Sequence, residues 1–107
     1  MPKFMFKASY TAEGSRGVMK EGGTARRAAV QRVIETLGGR IEAFYFVYGE
    51  DDVYVIADFP EAASGLALSL AVNGSGVVRV TTVPLITVEE MDAACEKHVA
   101  YKSPRAE

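Results

Sequence analysis

Apolar and polar residues alternate along four segments of the chain, and each alternation predicts a β-strand. The four predicted strands are Lys3–Tyr10, Arg40–Tyr48, Val53–Phe59 and Gly76–Pro84. Gly49-Glu50-Asp51-Asp52, between the second and the third, is typical of a turn. These two strands are therefore expected to form a hairpin.

Helical spacing of apolar residues predicts three helices between and after the strands. The first begins with Thr24 as its cap and runs to Leu37, where Gly38-Gly39 stops it. The second runs from Pro60 to about Val72 and ends at Asn73-Gly74. The third follows the capping-box pattern Thr87-x-x-Glu90. The four glycines within Thr11–Gly23 predict only a short helical turn, around Arg16–Glu21.

This order of elements, β-α-β-β-α-β with an added C-terminal helix, predicts an α+β protein of the ferredoxin-like class. Its four strands would form one antiparallel sheet with both main helices on one face. Residues 1–107 fit a single domain, and the polar segment 97–107 is expected to fray.

The sheet face that the helices leave uncovered is the main clue to function. If Tyr48 pairs with Val53, one face of the sheet turns a set of aromatic residues toward the helices, although a single bulge would reverse the faces. This set consists of Phe4, Phe6, Tyr10, Phe44, Phe46, Tyr48 and Phe59. The opposite face then carries Ile41, Ala43, Tyr45, Val47, Tyr54, Ile56, Asp58, Met5, Lys7 and Ser9. Because monomers avoid large exposed apolar patches, we expect a second copy to cover this face in a homodimer that closes two sheets into a barrel.

Such a closed space would hold a few polar groups among apolar neighbours, which is typical of a small-ligand site. The predicted ligand-binding residues are Lys7, Ser9, Tyr45, Tyr54 and Asp58. The simpler alternative is an ion pair between Lys7 and Asp58 at the interface. Tyr10, with Tyr45 and Tyr54, can also offer a hydroxyl group inside an apolar space.

The composition of the chain excludes several classes of partner and site. Twelve basic residues against fourteen acidic ones give a net charge of −2, which argues against a general nucleic-acid binder. One cysteine excludes an internal disulfide, and no His or Cys cluster suggests a metal site or a cofactor. With no apolar segment long enough to span a membrane and no targeting pattern, the expected location is cytoplasmic.

Four further features have ordinary structural interpretations beside possible functional ones. The segment Gly22–Arg27 fits a helix joint, although a helix start with two arginines can also bind an anion. Glu50-Asp51-Asp52 fits a capped turn better than a cation site. Cys95 is expected to be a buried thiol, and His98 to lie in the last turn of the C-terminal helix.

The chain resembles the GYD-domain family of small bacterial and archaeal proteins. The likeness runs from Lys3–Tyr10 through Glu21–Arg27 and Leu37-Gly38-Gly39 to the fourth strand. The family's Gly-Tyr-Asp signature is altered here, because Gly49 and Asp52 match its glycine and aspartate while Asp51 stands where the tyrosine is expected. The resemblance implies a dimeric α+β-barrel fold, and it implies no activity or catalytic residues.

Three functions remain open at this point. The first is a homo-oligomeric module that binds a small ligand between two sheets, or between sheet and helix. The second is a cofactor-independent oxygenase or isomerase, for which Asp58 or Lys7 would have to act as a general base. The third is a structural or interaction protein whose interface leaves no cavity.

Overall fold

The structure, a computed structural model, describes residues 1–105. Ala106 and Glu107, the end of the segment expected to fray, lie outside the described residues. The strands are β1 (Lys3–Tyr10), β2 (Arg40–Phe46), β3 (Val53–Asp58) and β4 (Val78–Leu85). The helices are α1 (Ala12–Glu21), α2 (Gly23–Thr36), α3 (Ala62–Gly74) and α4 (Val88–Cys95).

The four strands form one antiparallel sheet in the order β2-β3-β1-β4, which is the ferredoxin-like arrangement and confirms the predicted class. The bounds of β1 agree with the prediction. The two sequence-adjacent strands β2 and β3 form the predicted hairpin, and β1 lies between β3 and β4.

The core lies on the helix side of the sheet. Ile34 of α2 and Phe59 are completely buried, and the Phe59 ring lies 6.2 Å from the ring of Phe4 and 6.0 Å from that of Phe6. These are favourable distances for aromatic pairs. The buried apolar residues are Phe4, Phe6, Ile34, Val53, Val55, Ala57, Phe59, Leu68 and Val80.

The hairpin register differs from the prediction. Phe46, and not Tyr48, pairs with Val53, and Tyr48 is a fully exposed residue beyond the end of β2. Because the slip is two residues, the predicted alternation of faces survives for most of the strand. It fails at a bulge between Ile41 and Ala43, which turns Ile41 toward the core, where it is partly buried.

The glycine-rich segment after β1 forms the helix α1, where only a short helical turn was predicted. Thr11 caps the ten-residue helix α1, since its hydroxyl accepts a hydrogen bond from the amide of Gly14. A Cβ at Gly14 would lie 2.4 Å from the carbonyl oxygen of Val77, so glycine permits the close approach of α1 to the start of β4. The prediction was wrong because glycine was interpreted only as a helix breaker.

Helix ends also depart from the predicted caps. Gly22, with φ of 87°, joins α1 to α2, so Thr24 lies inside α2 and is not its cap. Pro60 precedes α3, whose cap residue is Glu61. Asn73 lies in the last turn of α3, and its side chain bonds both the amide and the carbonyl of Val80 on β4.

The C-terminal helix extends away from the rest of the chain. The Thr87 and Glu90 capping box is confirmed, but no residue of α4 is buried, and Cys95 is exposed where a buried thiol was predicted. His98 lies beyond the end of α4. The radius of gyration is 17.2 Å, whereas a compact chain of this length has about 13 Å. No helix within residues 1–105 is both long and apolar enough to cross a membrane.

Two helical glycines give a matched test of this packing. A Cβ at Gly65 of α3 would lie 2.6 Å from the Phe4 ring, whereas a Cβ at Gly17 of α1 would meet nothing within 4 Å. We expect Gly65→Ala to lower the free energy of unfolding by about 1–3 kcal/mol through overpacking. Gly17→Ala should raise it by about 0.5–1 kcal/mol through helix propensity. Urea unfolding measures both, and equal stabilities of the two variants would contradict the described contact between α3 and β1.

Candidate functional site

The side of the sheet turned away from α2 and α3, here called the open face, carries polar and apolar side chains in rows across the strands. The pairing of the strands places Val83, Met5, Ile56 and Ala43 side by side in one row. The next row consists of Thr81, Lys7, Tyr54 and Tyr45. Neither row contains a buried residue, so both are accessible to water in a single chain.

Three of the five predicted site residues are adjacent in the second row. Tyr54 is paired with Lys7 on one side and with Tyr45 on the other. The Tyr45 side chain is the most open of the three, because the residue is 69% exposed while Lys7 and Tyr54 are half-buried. Two phenol hydroxyls and an ammonium group therefore lie beside an apolar row.

Asp58 lies at the other end of the sheet and has a different partner. Its register neighbour is Lys3, whose Nζ lies 2.9 Å from the Asp58 Oδ1 atom. Lys3 also bonds Glu42, and hydrogen bonds to Glu42 and then Asp58 raise the pKa of the Lys3 ammonium group. Within a single chain Asp58 is therefore paired with Lys3 and not with Lys7, and an ion pair between Lys7 and Asp58 at the interface stays a prediction.

The hairpin turn fastens the end of β1 through its carboxylates. The Asp52 carboxylate accepts a hydrogen bond of 2.8 Å from the amide of Tyr10, and the Asp52 amide donates to the carbonyl of Ala8. Asp51 accepts a hydrogen bond of 3.2 Å from the Ser9 hydroxyl and lies 3.9 Å from the Lys7 ammonium group. Ser9, the fourth predicted site residue, is thus held by the turn.

These contacts agree with the interpretation of Glu50-Asp51-Asp52 as a capped turn. Asp51 and Asp52 bind groups of β1 and do not converge on a common point. Within the described part of the chain, no group of three or more His, Cys, Asp or Glu side chains could hold a metal ion.

A concave feature lies on the helix side of the sheet, where sequence analysis offered a ligand site between sheet and helix as an alternative without naming the residues that line it. This helix-side cleft is a cavity of about 140 Å³ between α2 and α3. Its walls include Val30 and Val33 of α2 with Leu68 and Val72 of α3. Its floor is formed by side chains of the sheet, among them Phe6, Val53, Val55 and Val80.

Two polar side chains lie at one end of the helix-side cleft. Arg26, in the first turn of α2, and Tyr10, at the end of β1, line both this cleft and a neighbouring pocket beside α1. Burial raises the pKa of the Tyr10 hydroxyl, and the positive charge of Arg26 only partly opposes that rise. Sequence analysis singled out both residues separately, but nothing in their spacing showed that they meet.

Comparison with known proteins identifies a family for the chain. The family model of the GYD domain matches residues 4–95, which is most of the chain and runs from the second residue of β1 to the end of α4. No curated protein and no solved structure matches the chain. The match agrees with the resemblance carried by β1, the joint before α2 and the hairpin turn. The chain belongs to the GYD-domain family.

Proposed function

We propose that the protein is a homo-oligomeric module that binds a small, partly apolar ligand against the open face of its sheet. The observation that carries this proposal is the row of Lys7, Tyr54 and Tyr45 beside an apolar row on an uncovered face. A few polar groups that orient a ligand among apolar ones are the usual composition of a small-molecule site.

Support for self-association comes first from the apolar row of the open face. Val83 is exposed, and Met5, Ile56 and Ala43 are only half-buried, although all four lie next to one another across the sheet. Apolar surface of this kind gains free energy when it leaves water. A second sheet packed face to face, at about 10 Å, would cover it.

The exposed C-terminal helix gives independent support. Ile86, Val88 and Met91 are each at least half exposed, and Val88 and Met91 are one helical turn apart on α4. An amphipathic helix is stabilised mainly by packing of its apolar face, and within the described chain none of these three residues is buried. A second copy that covers the open face would also offer α4 a surface on which to bury these residues.

The ligand would lie between the two sheets, with its polar group toward Lys7 and the two phenol hydroxyls. Asp58 would contribute to the site through its ion pair with Lys3, which lies at one end of the same face. Ser9 would position Lys7 indirectly, because both contact Asp51. In this proposal a cytoplasmic protein holds its ligand between subunits without a metal or a cofactor.

Native mass spectrometry of protein purified without denaturation tests both halves of the proposal. We expect an even multiple of the 11.5 kDa subunit that retains a discrete extra mass. In Tyr54→Phe and Lys7→Gln the extra mass should fall while the subunit count stays the same. Tyr48→Phe, in the exposed turn, is the matched control and should retain it. A monomer at micromolar concentration would refute the association, and an oligomer with no extra mass would refute the ligand.

A charge in the centre of the open face should separate the subunits. We expect Ile56→Glu to reduce the mass in solution to that of one chain, because dimerisation would have to bury an unpaired carboxylate. Leu70→Glu, at a position of α3 that is 76% exposed, is the control and should keep the wild-type mass. Light scattering measures the masses and circular dichroism verifies folding. An unchanged mass of a folded Ile56→Glu protein would contradict the proposed interface.

A further inference from the structure

The helix-side cleft combines an apolar cavity with a cationic end, and it lies across the sheet from the open face. Its volume of about 140 Å³ is close to that of an engineered apolar cavity, about 150 Å³, that binds benzene in another protein. The cleft is accessible between the helices, since Val33 on its wall is 47% exposed. A compact hydrocarbon group of six or seven carbon atoms therefore matches its size.

Arg26 has hydrogen-bonding capacity that the described chain does not use. Its Nε atom is buried and has no hydrogen-bond partner among the described residues. The nearest carboxylate is that of Glu21, 4.0 Å from Nη1, which is a long contact to a side chain that is itself exposed. A buried guanidinium donor without a partner is unfavourable, and an incoming carboxylate relieves this because it accepts from a guanidinium with two parallel bonds.

The neighbouring Arg27 does not share the position of Arg26 at the helix-side cleft. Its guanidinium lies 6.0 Å from the centre of the Phe44 ring and donates to the side chain of Gln31, and it does not line the cleft. Of the two arginines that the sequence places at the start of α2, only Arg26 meets both the cavity and Tyr10.

From the cavity and its single cationic end we infer that the helix-side cleft binds a small apolar carboxylic acid of about the size of benzoate. The hydrocarbon part lies between α2 and α3, and the carboxylate binds the Arg26 guanidinium beside the Tyr10 hydroxyl. This site is separate from the proposed ligand site of the open face, and it does not require a second copy of the chain.

Titration of the full chain with sodium benzoate and with benzamide, its neutral analogue, tests the inference. Isothermal calorimetry gives the affinities, and methyl resonances of Val33 and Leu68 locate the bound molecule. We expect benzoate to bind wild-type protein at least about tenfold more tightly than benzamide, because a charged hydrogen bond is stronger than a neutral one. Arg26→Gln should remove this difference while benzamide still binds, and Arg27→Gln should preserve it.

The same titrations can overturn the inference in several ways. No benzoate binding to wild-type protein would refute the cleft as a site, and equal affinities for the two probes would refute the role of charge. Equal effects of Arg26→Gln and Arg27→Gln would refute the assignment to Arg26. If Arg26→Gln does not fold, Ala29→Leu fills the cavity from its α2 wall, and unchanged benzoate binding to that variant would contradict the proposed location.

Discussion

A β-sheet has two faces, and in this protein the helices cover only one of them. The covered side buries the phenylalanines of β1 with Phe59 and Ile34, and it supplies the core of the chain. The other side displays an apolar row next to a polar one. Burial of apolar surface is the dominant favourable term in folding and in most association. The apolar row of the open face therefore favours association of the chain with a partner that covers it. The exposed helix α4 also favours association, because its apolar residues are not buried within the chain. The large radius of gyration agrees with a helix that extends from the rest of the chain.

On the core side of the sheet, two glycines permit helices to approach the strands closely. Gly65 brings α3 onto the Phe4 ring, and Gly14 brings α1 onto the start of β4. The hairpin turn adds hydrogen bonds to β1, because Asp52 binds the backbone of this strand at both Ala8 and Tyr10. These hydrogen bonds hold the end of β1 at the turn, and Tyr10 there lines the helix-side cleft together with Arg26.

Local sequence was enough to predict the four strands, three of the four helices and the fold class, since strand alternation and the Thr87–Glu90 capping box depend on neighbouring residues. That Lys7, Tyr54 and Tyr45 share a face was also predictable, because a two-residue slip in register leaves side chains on the same face. Their adjacency was not, since the expected register places Val47, and not Tyr45, opposite Tyr54. The bulge that turns Ile41 inward, the partner of Asp58 and the exposure of Cys95 were not. Each depends on contacts between distant segments, as does the cleft, whose width is set by how α2 and α3 pack on the sheet.

Hydroxyl-radical footprinting at micromolar protein concentration measures most directly whether a second copy covers the open face. Tyr45 lies on the open face and is 69% exposed in one chain, whereas Tyr48, three residues away, lies in the turn beyond it and is fully exposed. If a second copy covers the face, Tyr45 will be modified several-fold more slowly than Tyr48, and Ile56→Glu will restore its reactivity. Modification of wild-type Tyr45 at nearly the rate of Tyr48 would contradict the account.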